Sequence, residues 1–94
     1  MNRPIQVGDL VISLTGRDKG KCFVVYEITN IRVKVIDGKT HKIISPKTKN
    51  IKHVKQILTA GLKELVENIK EGQLVSNKRL YKLITTKKQK LQED

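Results

Sequence analysis

The alternation Ile31-Arg32-Val33-Lys34-Val35-Ile36, closed by Asp37-Gly38, is the feature that most restricts what this chain can fold into. A period of two puts Val33, Val35 and the basic residues between them on opposite faces, as in a half-buried strand, and Asp-Gly is a strong turn signal. Two apolar runs precede it, Leu10-Val11-Ile12-Ser13-Leu14 and residues 22–28, separated by the glycine-bearing loop Thr15-Gly16-Arg17-Asp18-Lys19-Gly20-Lys21. Periodicity alone does not assign the second run to a face. Lys42-Ile43-Ile44-Ser45 is expected to return as a fourth strand stopped by Pro46, and residues 51–57 to supply a fifth. Five short strands joined by tight turns predict a mainly β fold, a small barrel.

After Thr59 the period changes. Leu62, Leu65, Val66 and Ile69 fall at helical spacing, with Thr59 as the expected N-cap and Gly72 as the stop. Ser76 is a second N-cap before Leu80, Leu83 and Ile84, and residues 85–94 are expected to fray. The organisation predicted is therefore a barrel over residues 1–59 followed by two short C-terminal helices over residues 60–94.

Charge narrows the function. The 94 residues hold 20 Lys and Arg against 9 Asp and Glu, a net charge of +11, whose natural complement is a polyanion. Residues 1–59 carry 12 basic and 4 acidic residues and residues 60–94 carry 8 and 5, so the excess sits mainly in the predicted barrel. A membrane surface fits poorly, because no apolar run approaches the ~20 residues of a spanning helix and no basic segment has a wide apolar face. Gly8 and Asp9 stand where a signal peptide would need its apolar stretch, which gives a cytoplasmic expectation.

Enzymatic chemistry finds no support in the pattern. His41 and His53 have no nucleophile placed beside them, the acids are scattered, and the single cysteine, Cys22, allows neither an internal disulfide nor a cysteine-based zinc site. No phosphate-cradling glycine loop of the nucleotide-hydrolase type occurs. The expectation is a non-enzyme with no cofactor and no metal.

The loop Gly16-Arg17-Asp18-Lys19-Gly20-Lys21 is different. Its glycines admit positive φ and let a phosphate approach main-chain N–H groups, while Arg17, Lys19 and Lys21 attract it from a distance. A plain hairpin turn would account for the same glycines. Lys78 and Arg79, in the first turn of the second helix, sit at the positive end of its dipole at a cost of ~0.3 to 1 kcal/mol, which a bound phosphate would reverse.

Gly8-Asp9-Leu10-Val11-Ile12-Ser13, the loop around Gly20, and then Val25 and Ile28 resemble the KOW motif of ribosomal proteins and transcription elongation factors. Val35-Ile36-Asp37-Gly38 looks like the eL14-type large-subunit ribosomal proteins, and Pro46-Lys47-Thr48-Lys49-Asn50-Ile51-Lys52-His53 is similar to a segment of small bacterial KOW proteins described as RNA-binding. The resemblance implies an SH3-like barrel that touches RNA, with Arg17, Lys19, Gly20 and Lys21 in the loop role and Lys47, Lys49, Asn50, Lys52 and His53 in a second basic segment. Phe23 departs from the pattern, standing where such proteins often have a small residue, and is open to a core or a stacking role.

With Phe23, Tyr26 and Tyr81 the only aromatics, recognition is expected to rest on phosphates and RNA shape rather than on a stacking platform. The expected partners are ribosomal RNA and the ribosome, with the free protein a monomer. A transcription elongation or termination accessory, and a protein-interaction adaptor using the barrel edge or the Leu62, Leu65, Val66 and Ile69 face, are the alternatives.

Overall fold

A computed structural model of the chain describes residues 4–92. Five strands form one antiparallel sheet in the order β4-β3-β2-β1-β5. They are β1 (Leu10–Ser13), β2 (Cys22–Thr29), β3 (Arg32–Ile36), β4 (Lys47–Asn50) and β5 (Val54–Leu58), followed by helices α1 (Lys63–Lys70) and α2 (Asn77–Gln92). The fold is thus mainly β with two C-terminal helices. The sheet is not a closed barrel: β5 pairs with β1, and among the described residues no ladder joins it to β4.

The strand register explains why the run from Cys22 to Val25 is apolar on both faces. Leu10, Val24 and Ile36 lie abreast on one face, where they pack with Leu62 and Val66 of the α1 segment and Leu80 and Ile84 of α2. Val11, Phe23, Val25, Val33, Val35 and Val54 fill the other face. The helix residues pack on the first face, and against the second lie Ile5, Ile28 and Ile51 from the segments flanking the strands and from β2 itself. Register shifts at Leu10/Val11 and between Val25 and Glu27 supply bend, since an unpaired residue increases local twist. Phe23, fully buried, belongs to this core; burying such a side chain contributes ~1.5 to 3 kcal/mol.

Four local expectations are corrected. The fourth strand follows Pro46 rather than preceding it: residues 42–45 form a turn in which the Ser45 N–H donates to the Lys42 carbonyl and the Ile43 N–H donates to Asn77 Oδ1. The fifth strand begins at Val54 because Ile51–His53 forms a 3-10 turn, capped by the Asn50 side chain accepting the Lys52 N–H.

The first helix begins at Lys63, not after Thr59, because the connecting backbone is tied to the sheet: the Ala60 N–H donates to Asp9 and the Leu62 N–H to the Gly8 carbonyl. Gly72 does end it, donating to the Ile69 carbonyl, and Ser76 does cap α2, its Oγ accepting the Arg79 N–H at 3.1 Å. The second helix, however, is 16 residues long and runs through the expected fray to Gln92, made of the good helix formers Lys, Gln and Leu; Glu93 and Asp94 lie outside the described residues.

Candidate nucleic-acid interface

The loop between β1 and β2 is a compact turn with its own hydrogen bonds. Its Lys19, Gly20 and Lys21 N–H groups donate to the carbonyls of Gly16, Ser13 and Asp18 at 3.2, 2.8 and 2.8 Å. These three donors are therefore already occupied within the turn itself. Gly20 has φ +87°, which disfavours a side chain, although a Cβ there would meet nothing within 4 Å.

Asp18, the one acid of the loop, fixes its position. The buried carboxylate lies 2.9 Å from His41 Nε2 and 3.4 Å from Lys49 Nζ, joining the loop to the turn after β3 and to β4. A carboxylate only accepts, so Nε2 carries the proton of that bond. Burial raises the Asp18 carboxyl, but the hydrogen bonds and positive charges of His41 and Lys49 outweigh it and hold the group below its ordinary value of 3.8.

A folded pKa below the unfolded one stabilises the protein above the unfolded value, and that stability is lost as pH falls through the folded one. Asp18→Asn should therefore be less stable than the parent at neutral pH, with the gap closing as pH drops below 3.8. Urea midpoints across that range check this; a gap that stays constant into acid would show that the carboxylate charge is irrelevant.

On the outside of this latch lies a cleft lined by Arg17, Lys21, Thr40 and Lys47, with His41 and Lys49 at the Asp18 end. Two segments chosen for their charge, the loop and residues 47–49, are thus brought together. Lys49 is the qualified member, because its side chain is only 10% exposed and its amine faces Asp18. Lys19 is exposed on the loop but does not line the cleft. Asn50 serves the 3-10 turn, and Lys52 and His53 are exposed there, outside the cleft. Lys78 is exposed at the start of α2, while Arg79 faces a separate hollow between the helices with Lys63, Glu64 and Lys87.

Lys21 and Thr40 also belong to a second cleft, between the sheet and α2, to which Lys39, Tyr81, Thr85 and Lys88 contribute. Lys21 Nζ is 3.3 Å from Thr40 Oγ1, so the two clefts meet at this pair. The sequence offers Lys88, with Lys82, Lys87 and Lys90, as part of a basic second helix, but it does not join Tyr81 and Thr85 to it, because residues 85–94 are expected to fray. The spacing Tyr81, Thr85, Lys88 is that of one helix face and could have found them. Cys22 sits behind this cleft, 9% exposed; burial, opposed by Lys88 and aided by Asp37, pushes its thiol up to about 11. Such a thiol is inert at neutral pH, as expected of an ordinary strand cysteine.

Among the described residues no group of three His, Cys, Asp or Glu side chains could hold a metal ion, and no helix is long and apolar enough to cross a membrane. No protein-family model matches the chain, and no curated protein matches it either.

Proposed function

We propose that this is a non-enzymatic RNA-binding protein that grips structured RNA through phosphate contacts. The observation that carries the reading is the convergence of Arg17 and Lys21 with Lys47 in one open cleft, on a chain of net charge +11. Long flexible cations around a groove suit a phosphate backbone, and such contacts position a protein without reading sequence. The finer reading is an SH3-like barrel of the KOW kind, supported by five antiparallel strands, a fifth strand returning to the first, and the glycine loop at the tip of the first hairpin. On that reading the target is ribosomal RNA, and the protein acts in the cytoplasm on or near the ribosome as a monomer when free. A transcription accessory would use the same groove. The adaptor alternative would use the sheet edge or what α1 leaves uncovered, since Leu62 and Val66 are buried against the sheet while Leu65 and Ile69 are half-buried.

RNA titrations at several salt concentrations test the proposal. If Arg17, Lys21 and Lys47 each neutralise one phosphate, log affinity should fall with log salt with a slope of about −3, using the duplex DNA coefficient of about 0.9 per contact. Lys47→Gln should flatten the slope by roughly one unit and weaken all RNA sequences alike. A loss confined to one sequence, or an unchanged slope, would remove Lys47 from the interface.

A further inference from the structure

The cleft beside α2 has a composition that phosphate contact alone does not require. Lys21, Lys39 and Lys88 reach it from three separate parts of the fold: the loop before β2, the turn after β3, and α2. Its one carboxylate, Asp37, is 4% exposed, and its Oδ1 already accepts the N–H groups of Lys39 and His41 at 2.9 and 2.8 Å. The charge facing a ligand is therefore positive.

Tyr81 forms a wall, 39% exposed, with Lys39 Nζ 5.2 Å from its ring centre. It is the most open aromatic of the chain, since Phe23 is in the core and Tyr26 is half-buried beneath Lys70. Cations beside one accessible ring are what a nucleotide needs, phosphate on the first and base on the second. The volume, about 280 Å³, falls just below the roughly 300 to 1,000 Å³ typical of small-molecule sites, so the cleft suits at most one nucleotide and not a single-stranded tract.

We propose that this cleft holds one unpaired nucleotide of the bound RNA, its base against Tyr81 and its phosphate among Lys21, Lys39 and Lys88. The inference rests on the RNA-binding reading above and deepens it. Lys21 and Thr40, shared by both clefts, carry the backbone from the groove into the pocket. The protein then prefers a duplex interrupted by a bulge over one that is fully paired, a choice of shape rather than of sequence.

The test uses two hairpin RNAs that differ by one bulged nucleotide, with the full-length chain carrying Tyr26→Phe. The chain has two tyrosines and no tryptophan, so the tyrosine emission of this variant comes from Tyr81 alone. The bulged RNA should bind roughly tenfold more tightly, as one stacked base implies, and quench that emission, while the paired RNA leaves it unchanged. Adding Lys88→Gln should erase most of the preference yet keep affinity for the paired RNA. Equal affinity for both RNAs with undisturbed Tyr81 emission overturns the pocket and leaves the groove standing. Failure to bind either RNA at low salt overturns the RNA-binding reading itself. Equal quenching by a free nucleoside monophosphate at the same concentration would assign the cleft to free nucleotides and overturn an RNA-borne occupant.

Discussion

Asp9→Ala should lower the thermal midpoint by about 12 to 24 °C. Asp9 is 1% exposed, and its carboxylate accepts three hydrogen bonds: Oδ2 from the Gln6 N–H at 2.8 Å and the Gln56 side-chain amide at 2.6 Å, and Oδ1 from the Ala60 N–H at 2.6 Å. Those donors lie in the N-terminal segment, in β5, and in the turn that leads to α1. One carboxylate therefore fastens the start of the sheet to its last strand and to the helical extension.

Hydrogen bonds to a charged group contribute about 1.5 to 3 kcal/mol each, and they are not additive. A net loss of ~3 kcal/mol is a moderate estimate, and each kcal/mol shifts the midpoint by roughly 4 to 8 °C in a domain of this size. Asp9→Asn keeps one acceptor, and Gln56 can turn its amide to meet the new NH₂, so its loss should be about half as large. Calorimetry of both variants decides the point. An alanine variant within a few degrees of the parent would mean that solvent takes over the three donors at no cost.

Nothing local in the sequence announces this role. Asp9 reads there as a polar residue beside Gly8 at the opening of the KOW-like segment, and not as a fastening, because its partners Gln56 and Ala60 are 47 and 51 residues away. The same physics separates what pattern could find from what it could not. β1, β2 and β3 were legible because burial writes apolar residues into a strand. β4 was not, because Lys47-Thr48-Lys49-Asn50 is an edge strand without an apolar residue; it is held by its ladder to β3 and by the Lys49 contact with Asp18. The more apolar segment beside it, Lys42-Ile43-Ile44-Ser45, took the expectation instead, although Ile44 is 90% exposed.

The site divides in the same way. Charge in the loop and in residues 47–49 was visible along the chain, and the fold does place Arg17, Lys21 and Lys47 together. Whether each cation is free depends on a contact across the fold. The Asp18 carboxylate engages Lys49, while the neighbouring strand residue Lys47 remains exposed. Lys39 and Lys88 join them through the docking of α2, whose apolar spacing was legible but whose length was not.

That docking supports the second large effect: Gly38→Ala should cost on the order of 3 kcal/mol, roughly one and a half to three times the cost of Gly20→Ala. Both glycines occupy the left-handed region, Gly38 at φ +82° and Gly20 at φ +87°, where an L residue pays roughly 1 to 2 kcal/mol. At Gly20 nothing lies within 4 Å of an added Cβ, so the backbone penalty is the whole effect. At Gly38 the Cβ would overlap the backbone carbonyl of Asn77, the residue that opens α2. Backbone cannot rotate away as a side chain can, so the helix start must move. The Asn77 side chain holds that start from another direction, its Oδ1 accepting the Ile43 N–H at 2.8 Å, and the conflict therefore strains a second contact. Displacing α2 would also move Tyr81 and Lys88 relative to Lys39, so Gly38→Ala should lose the preference for bulged RNA while a folded Gly20→Ala keeps it. Denaturant unfolding with unchanged slopes measures both costs. Equal losses at the two positions would mean that the left-handed backbone accounts for everything and that the close approach of α2 to this turn contributes nothing to stability.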